Sequence, residues 1–532
     1  MDFEAVVRDC VSAYFQFAPS IAREAGDHDH DGMIGDFSAT ALRVRAVELD
    51  AQIAQLRSLP REDLASDTER RSLLAVLESQ LFRIRELKEF NNSPLTYEMA
   101  WDVSAYLKRD FAPLEDRLRL AAKHLASFPD AYEAARDNLD QHLARPELEV
   151  ACEAVTGTIE YLGTDLAPLA ADRSWLEGPL DGAIKVLHQY RSLLTGRLEQ
   201  ASDDFALGAD RLMRLVAIQE LIDDDLEGLR AMFQADLERN AAEAEEVVAR
   251  AWPGLTPRQA MERLEEDHFT VETLIPEAAS CLDRLRDFII DHDLVSVPSQ
   301  VHCTVSPSPP YYSFISAALD PAGPLETRAT DSYYYVTVPT AQWGQERTLE
   351  WLKYLNRSML ENTAIHEAYP GHYLHFQHLG SVRGLATKAF WCQSMGEGWA
   401  HYCEQMMLEA GYGDGDPKLA LIQKHDALLR NCRCLAAIGL HCDSMSLEQA
   451  TRLFMQHGLM GRVPAEREAS RGTWDPTYFN YTLGKLLILR MREELRRHWG
   501  SRFTLRRFHD QLLACGLMPL PLIREVLLSQ NP

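Results

Sequence analysis

Residues 68–87 read TERRSLLAVLESQLFRIREL, an amphipathic stretch with apolar side chains at helical spacing. Similar patterns extend on both sides. From about residue 39 to 293 such segments follow one another, among them 209–231, punctuated by Pro60, Pro94, Pro113, Pro129, Pro146 and Pro168. Thr256-Pro257 has the form of an N-cap followed by proline at the first helical position. This half of the chain reads as helix after helix, joined by short turns.

The character changes between 295 and 342. The segments VSVPSQVHCTVSPSPPYYSF (295–314) and DSYYYVTVPT (331–340) carry prolines, β-branched residues and aromatics in place of helical periodicity, and are the strand candidates. Helical patterning resumes near 345 and runs through WLKYLNRSMLENTAIHE (351–367), with further helices expected at about 396–411, 416–440, 478–498 and 517–530. The expected fold is mainly α, with a small β-sheet next to the helix that ends in His366-Glu367. One continuous structural unit is expected, made of a helical lobe over 1–294 and a catalytic lobe over 295–532. No internal repeat or low-complexity tract interrupts it.

Composition narrows the function. Of 532 residues, 46% are hydrophobic and 25% charged, enough for a large core. The 80 Asp and Glu against 54 Lys and Arg give a formal charge of -26, which repels phosphate backbones and anionic lipid, so neither nucleic acid nor membrane is an expected partner. No stretch approaches the roughly 20 apolar residues of a membrane span, and MDFEAVVRDCVSAYFQ lacks a signal-peptide pattern, so the expected location is the cytoplasm. The ten scattered cysteines read as reduced thiols, and Cys432-Arg433-Cys434 fits neither a redox nor a paired zinc spacing. The oligomeric state is not legible.

The segment with a chemical signature is His366-Glu367-Ala368-Tyr369-Pro370-Gly371-His372. Zinc hydrolases commonly place two histidines four residues apart on one helical face, with a Glu after the first as general base. Here the spacing is six, and an unbroken helix would put His372 roughly 120° around the axis from His366 and about 9 Å along it. Pro370 cannot donate to the carbonyl of residue 366, and Gly371 opens backbone conformations closed to other residues. A two-residue bulge at Tyr369-Pro370-Gly371 would restore His372 to the second ligand's place.

Catalytic zinc usually keeps three protein ligands and one open position. In Gly396-Glu397-Gly398-Trp399-Ala400-His401-Tyr402 the leading third ligand is Glu397, with His401 as its rival. Glu404, about two turns on, is placed to act behind the ligands. Tyr481 is the candidate donor to a developing oxyanion, with Tyr478 as substitute. Lys485 or Arg490 are candidates to receive a substrate carboxylate, and Ser332 to Val338 to pair with an extended peptide as an edge strand. Asp27-His28-Asp29-His30-Asp31-Gly32 opens like a calcium loop, yet Ser38 stands where the bidentate Glu belongs. It reads as a polar loop ending in a helix cap at Ser38.

At these residues the chain resembles the bacterial domain-of-unknown-function 885 family, whose members look like distant relatives of gluzincin zinc peptidases such as angiotensin-converting enzyme and the oligopeptidases. The likeness covers nearly the whole chain: HDHDGMIGDFS, SQLFRIRELKEFNNSPLTYE, DSYYYVTVPT, HEAYPGHYLH, EGWAHYCEQM and YFNYTLGKLLILRMREEL. It implies a zincin-like helical fold around a deep cleft, zinc held by His366, His372 and Glu397, and Glu367 as base. It attaches no metal to the calcium-like loop. His375 and His401 stand where relatives commonly carry Gln and an aliphatic residue, so neither inherits a role.

The expected function is zinc-dependent peptide hydrolysis. Two alternatives carry the same motif: a zinc amidase acting on a small non-peptide amide, and a helical binding protein with an inactive centre.

Overall fold

The computed structural model describes residues 2–61, 63–309 and 315–530. The chain is mainly helical, 70% helix and 3% strand, as the periodicity predicts. Residues 310–314 of the first strand candidate lie outside the described residues. No helix among the described residues is long and apolar enough to cross a membrane.

Contacts divide the chain into two compact units: Met1–Leu207 with Ala322–Thr330 and Gly384–Phe390, and Gly208–Pro321 with Asp331–Arg383 and Trp391–Pro532. The boundary thus falls at Leu207/Gly208, where the sequence suggests 294/295. Burial gives the reason. Leu237 and Ala244 of helix α1 (Leu226–Ala251), and Leu282 and Leu285 of the helix Leu274–Asp291, share one apolar core with Ile365, Met395 and Ile488 near the motif.

In the first unit the helix Leu64–Phe82 buries Leu73 and Leu77 in a core with Leu49 and Ile53 of the helix Ala39–Ser58. Ser38 caps that second helix, its hydroxyl accepting from Ala41 N–H at 3.2 Å. In the calcium-like loop His28 lies 2.8 Å from Asp31 of the loop and 2.8 Å from Glu326 of the segment Ala322–Thr330.

Behind the loop, Gly32 N–H donates to the Tyr106 hydroxyl (2.8 Å), which lies 3.2 Å from His124 Nδ1, while Nε2 contacts Ala100 O at 2.9 Å. Burial, then the Arg23 charge, lower the His124 pKa to about 3. Above pH 6.5 this histidine is neutral folded or unfolded. Below it the unfolded chain binds a proton that the folded chain refuses, so stability is lost as pH falls towards 3, at about 1.4 kcal/mol per unit. Urea titrations at pH 6.5 and 5 are expected to show His124→Gln losing about 2 kcal/mol less than the wild type over that interval; equal losses would remove His124 from the account.

In the second unit three short strands form one sheet: β1 (Thr304–Pro307), β2 (Ala317–Asp320) and β3 (Tyr333–Val336), in the order β1-β3-β2. β1 runs parallel to β3 and β2 antiparallel. The expectation that Ser332 to Val338 offers an edge is therefore corrected. β3 is central, with Tyr334, Tyr335 and Val336 buried; among the described residues the edges are β1 and β2.

The remaining elements that matter are α2 (Arg357–Glu367), α3 (His372–Leu379), α4 (Gln393–Glu409), α5 (Pro417–Cys442) and α6 (Asn480–Trp499). α4 and α6 cross where two glycines meet: a Cβ on Gly398 would lie 2.5 Å from Gly484 Cα, and one on Gly484 1.9 Å from Ser394 O. Only residues without a side chain allow so close a crossing. One position further on, Lys485 is fully buried, its Nζ 3.2 Å from Asp236 of α1. Asp236 also accepts from Asn431 of α5 and Asn240. Lys485 is thus a core ion-pair partner, and Arg490 is exposed against Met232; neither fits the substrate-binding role suggested for it.

Candidate metal centre

α2 begins at an Asn356 cap, its side chain accepting from Met359 N–H at 3.1 Å, and stops after Glu367. Ala368 leaves helical geometry (φ -117, ψ -80), the Tyr369-Pro370 peptide is cis, and Gly371 (φ -67, ψ -133) precedes α3. Gly371 N–H donates to Ile365 O at 3.0 Å and Leu374 N–H to Ala368 O at 3.2 Å. Each bond spans six residues where a helix spans four, so two residues are looped out. His375 N–H then donates to Gly371 O at 3.1 Å, the ordinary register. A Cβ on Gly371 would lie 1.8 Å from His366 O, which is why glycine stands there. From α4, Trp399 Nε1–H donates to Pro370 O at 2.9 Å and fixes the break from outside.

The break brings the His366 and His372 rings to 4.9 Å between centroids, inclined at 87°. From α4, Glu397 sets Oε2 3.6 Å from His366 Nε2 and 3.4 Å from His372 Nε2. One ligand atom from each residue lies within 4.8 Å of the others. Metal–ligand distances of about 2.0–2.1 Å would put tetrahedral donors roughly 3.3–3.4 Å apart. Glu397 Oε2 is buried and makes no hydrogen bond among the described residues. The donor set, its spacing and this oxygen all fit a zinc ion.

The electrostatics agree with a strongly coupled cluster. Burial resists ionisation of Glu397, but the His372 charge and the two imidazoles beside it hold its carboxyl well below the usual range. Burial also depresses His366, and its contacts with the Glu397 and Glu404 carboxylates outweigh that, raising its pKa to about 9.

Glu404 stands behind it, fully buried. Its Oε1 lies 2.7 Å from His366 Nδ1 and 3.0 Å from Arg430 Nη2, and its Oε2 3.1 Å from His401 Nδ1. Such a carboxylate fixes the tautomer of a ligating imidazole with Nε2 outward. His401, engaged with Glu404, lies outside the donor set. His375 lies outside it too, buried with its ring 6.5 Å from Trp399.

Glu367, half-buried at the end of α2, accepts from Leu319 N–H of β2 at 3.0 Å. The Tyr481 ring lies nearly parallel to that of His366, 6.3 Å away, and its phenol is pushed up to about 12 by burial and then by the Glu397 charge. Tyr478 is fully buried with its hydroxyl at Gly472, a Cβ on which would lie 2.5 Å from it. Of the two tyrosines, Tyr481 is the neighbour of the cluster. Arg430 and Leu319 were not singled out from the sequence. Neither carries a local motif, and each reaches the site only through a distant element.

Fold and site together define a mainly helical protein with a buried His-His-Glu donor cluster at a broken helix. The chain belongs to the bacterial family described as "Bacterial protein of unknown function (DUF885)", which it matches over residues 19–527. Two solved structures are similar to it. One is described as a "putative lipoprotein of unknown function" from Shewanella oneidensis, with a TM-score of 0.84 and 24% identity, over 99% of this chain and 100% of that one. The other is a "putative lipoprotein" from Colwellia psychrerythraea, with a TM-score of 0.79 and 16% identity, over 99% and 98%. No curated protein matches the chain.

Proposed function

We propose that the protein is a zinc-dependent hydrolase that cleaves peptide bonds, similar in its centre to the gluzincin peptidases. The observation that carries this reading is the convergence of His366, His372 and Glu397 within 4.8 Å, with the Glu367 carboxylate next in sequence to the first of them. When bound there, zinc supplies Lewis acidity, acidifying a water and polarising a carbonyl.

The protein's own residues do the rest. Glu367, steadied by Leu319 N–H, takes the proton of the attacking water and passes it to the leaving nitrogen. The C–O bond forms first as water adds to the carbonyl carbon, and the C–N bond breaks when the tetrahedral carbon collapses, leaving the hydroxyl of water on the acyl product and its proton on the amine. Tyr481, whose ring lies 6.3 Å from that of His366, donates its phenolic hydrogen bond to the oxygen that gains charge. Glu404 keeps His366 in the ligating tautomer.

The test is zinc analysis of the loaded protein, with a peptide-library digest read by mass spectrometry, before and after chelator treatment. Zinc-restored cleavage supports the reading; bound zinc with hydrolysis only of small non-peptide amides makes it an amidase, and no bound zinc a binding protein. Glu404→Gln is expected to weaken zinc affinity about 10- to 100-fold in competition with a chelator; unchanged affinity would remove Glu404 from the centre. All ten cysteines are free, which supports a reducing compartment such as the cytoplasm. The lipoprotein description of the two solved neighbours makes cell fractionation the measurement that decides.

A further inference from the structure

With Lys485 committed to Asp236, a different cationic pair lies beside the centre. Arg433 of α5 is buried and forked onto Glu468, Nε and Nη2 donating at 2.7 and 2.8 Å. Arg471 donates from Nε and Nη2 to a single oxygen of Asp475, Oδ2, at 3.1 and 2.8 Å. Each carboxylate fixes the plane of its guanidinium. Each leaves Nη1 without a hydrogen-bond partner among the described residues.

The two guanidiniums flank one ring, Arg433 5.9 Å and Arg471 5.8 Å from Tyr478. Arg433 also lies 5.2 Å from the Tyr481 ring, which neighbours His366. A line of neighbours therefore runs from the donor cluster through Tyr481 to Arg433 and Arg471.

The edge strand β2 leads the same way. Thr337 N–H donates to Ser316 O at 2.9 Å, and Ala318 is opposite Tyr335. In an antiparallel ladder the alternate residues, Ala317 and Leu319, turn their backbone groups away from β3. Leu319 reaches Glu367. Ser316, at the other end, contacts the phenol of Tyr354, which also lies near Arg433. Leu319 to Ser316 is three residues, roughly 10 Å of strand. A peptide added antiparallel to β2 beside Glu367 directs its carboxy-terminal side towards Ser316 and the arginines. A parallel one would bring its amino-terminal side there, where both arginines present donors.

We infer that Arg433 and Arg471 form a subsite for the α-carboxylate at the end of a peptide, so that the protein releases one or two residues from the carboxy terminus. The inference rests on the peptidase reading and deepens it. Two guanidiniums, each held by a carboxylate of the protein, suit a substrate carboxylate, which charge-assisted hydrogen bonds recognise well.

The test uses acetyl-tetra-alanine as the free acid and as the carboxamide. Cleavage is measured with the zinc-loaded wild type, and binding by calorimetry with zinc-loaded Glu367→Gln. The acid is expected to be cleaved about 10- to 100-fold better in kcat/KM and to bind more tightly. Arg471→Gln and Arg433→Lys are each expected to erase most of that preference. Equal cleavage of acid and amide would overturn the subsite and leave the peptidase reading standing. No cleavage of either, with the acid still bound more tightly, would overturn the peptidase reading and leave the carboxylate site. Equal binding without cleavage would end both.

Discussion

Replacing Glu367 by glutamine is expected to lower kcat for peptide hydrolysis about 10³-fold while zinc content stays at the wild-type level. The donor cluster is His366, His372 and Glu397, and Glu367 is outside it. Glutamine has nearly the same shape, and its carbonyl oxygen can still accept from Leu319 N–H, so the end of α2 keeps its anchor. What it lacks is a site for the proton. The loss therefore belongs in kcat with KM little changed, since the carboxylate acts on the water and only later on the leaving nitrogen. Metal analysis beside steady-state kinetics checks both halves. Loss of zinc in the variant would make Glu367 a ligand, and an unchanged kcat would end its role as base.

The second large effect is expected from Gly371→Ala, which should cost more than about 4 kcal/mol and abolish zinc binding. The added Cβ would lie 1.8 Å from His366 O and 2.5 Å from Ile365 O. Both are backbone atoms of the helix that carries the first ligand, so no rotamer change relieves the overlap. The relief is a shift of α2 against α3, which separates the two histidines. Gly157, in the helix Arg145–Tyr161 with nothing within 4 Å of an added Cβ, is the control: Gly157→Ala is expected to stabilise by up to about 1 kcal/mol. Denaturant titration and zinc titration of both variants check this. Wild-type stability and zinc affinity in Gly371→Ala would mean the break yields where the geometry says it is fixed.

Much of this was legible in the chain because helical periodicity and helix breakers act locally. Residues 68–87 show their apolar face without reference to any partner. Pro370 and Gly371 announce the break through a missing N–H and a missing side chain. Glu397 lies in a helical segment soon after the motif, and α4 brings it to both histidines.

What was not legible depends on partners far away in sequence. Amphipathic pattern says which face of α1 is buried and not against what, so it does not say with which unit residues 208–294 pack. Ser332 to Val338 read as an edge, and β3 is central, because strand order is fixed by the segments on either side. Lys485 read as a candidate to receive a substrate carboxylate. Its role was decided by Asp236, on a helix whose sequence gives no hint of the pairing. Arg430 is in the same position, meeting Glu404 across two helices.

The six-residue bonds at Gly371 and Leu374 bear on how such proteins are found. A pattern that fixes the count of residues between two histidines uses the backbone as a ruler, and here the ruler is folded. Four positions of helix and six positions with a loop set the imidazoles at the same place, so a search written for the shorter interval passes over this chain. The trait that would detect it is the breaker between the histidines together with a glutamate on a later helix, with the interval itself left free.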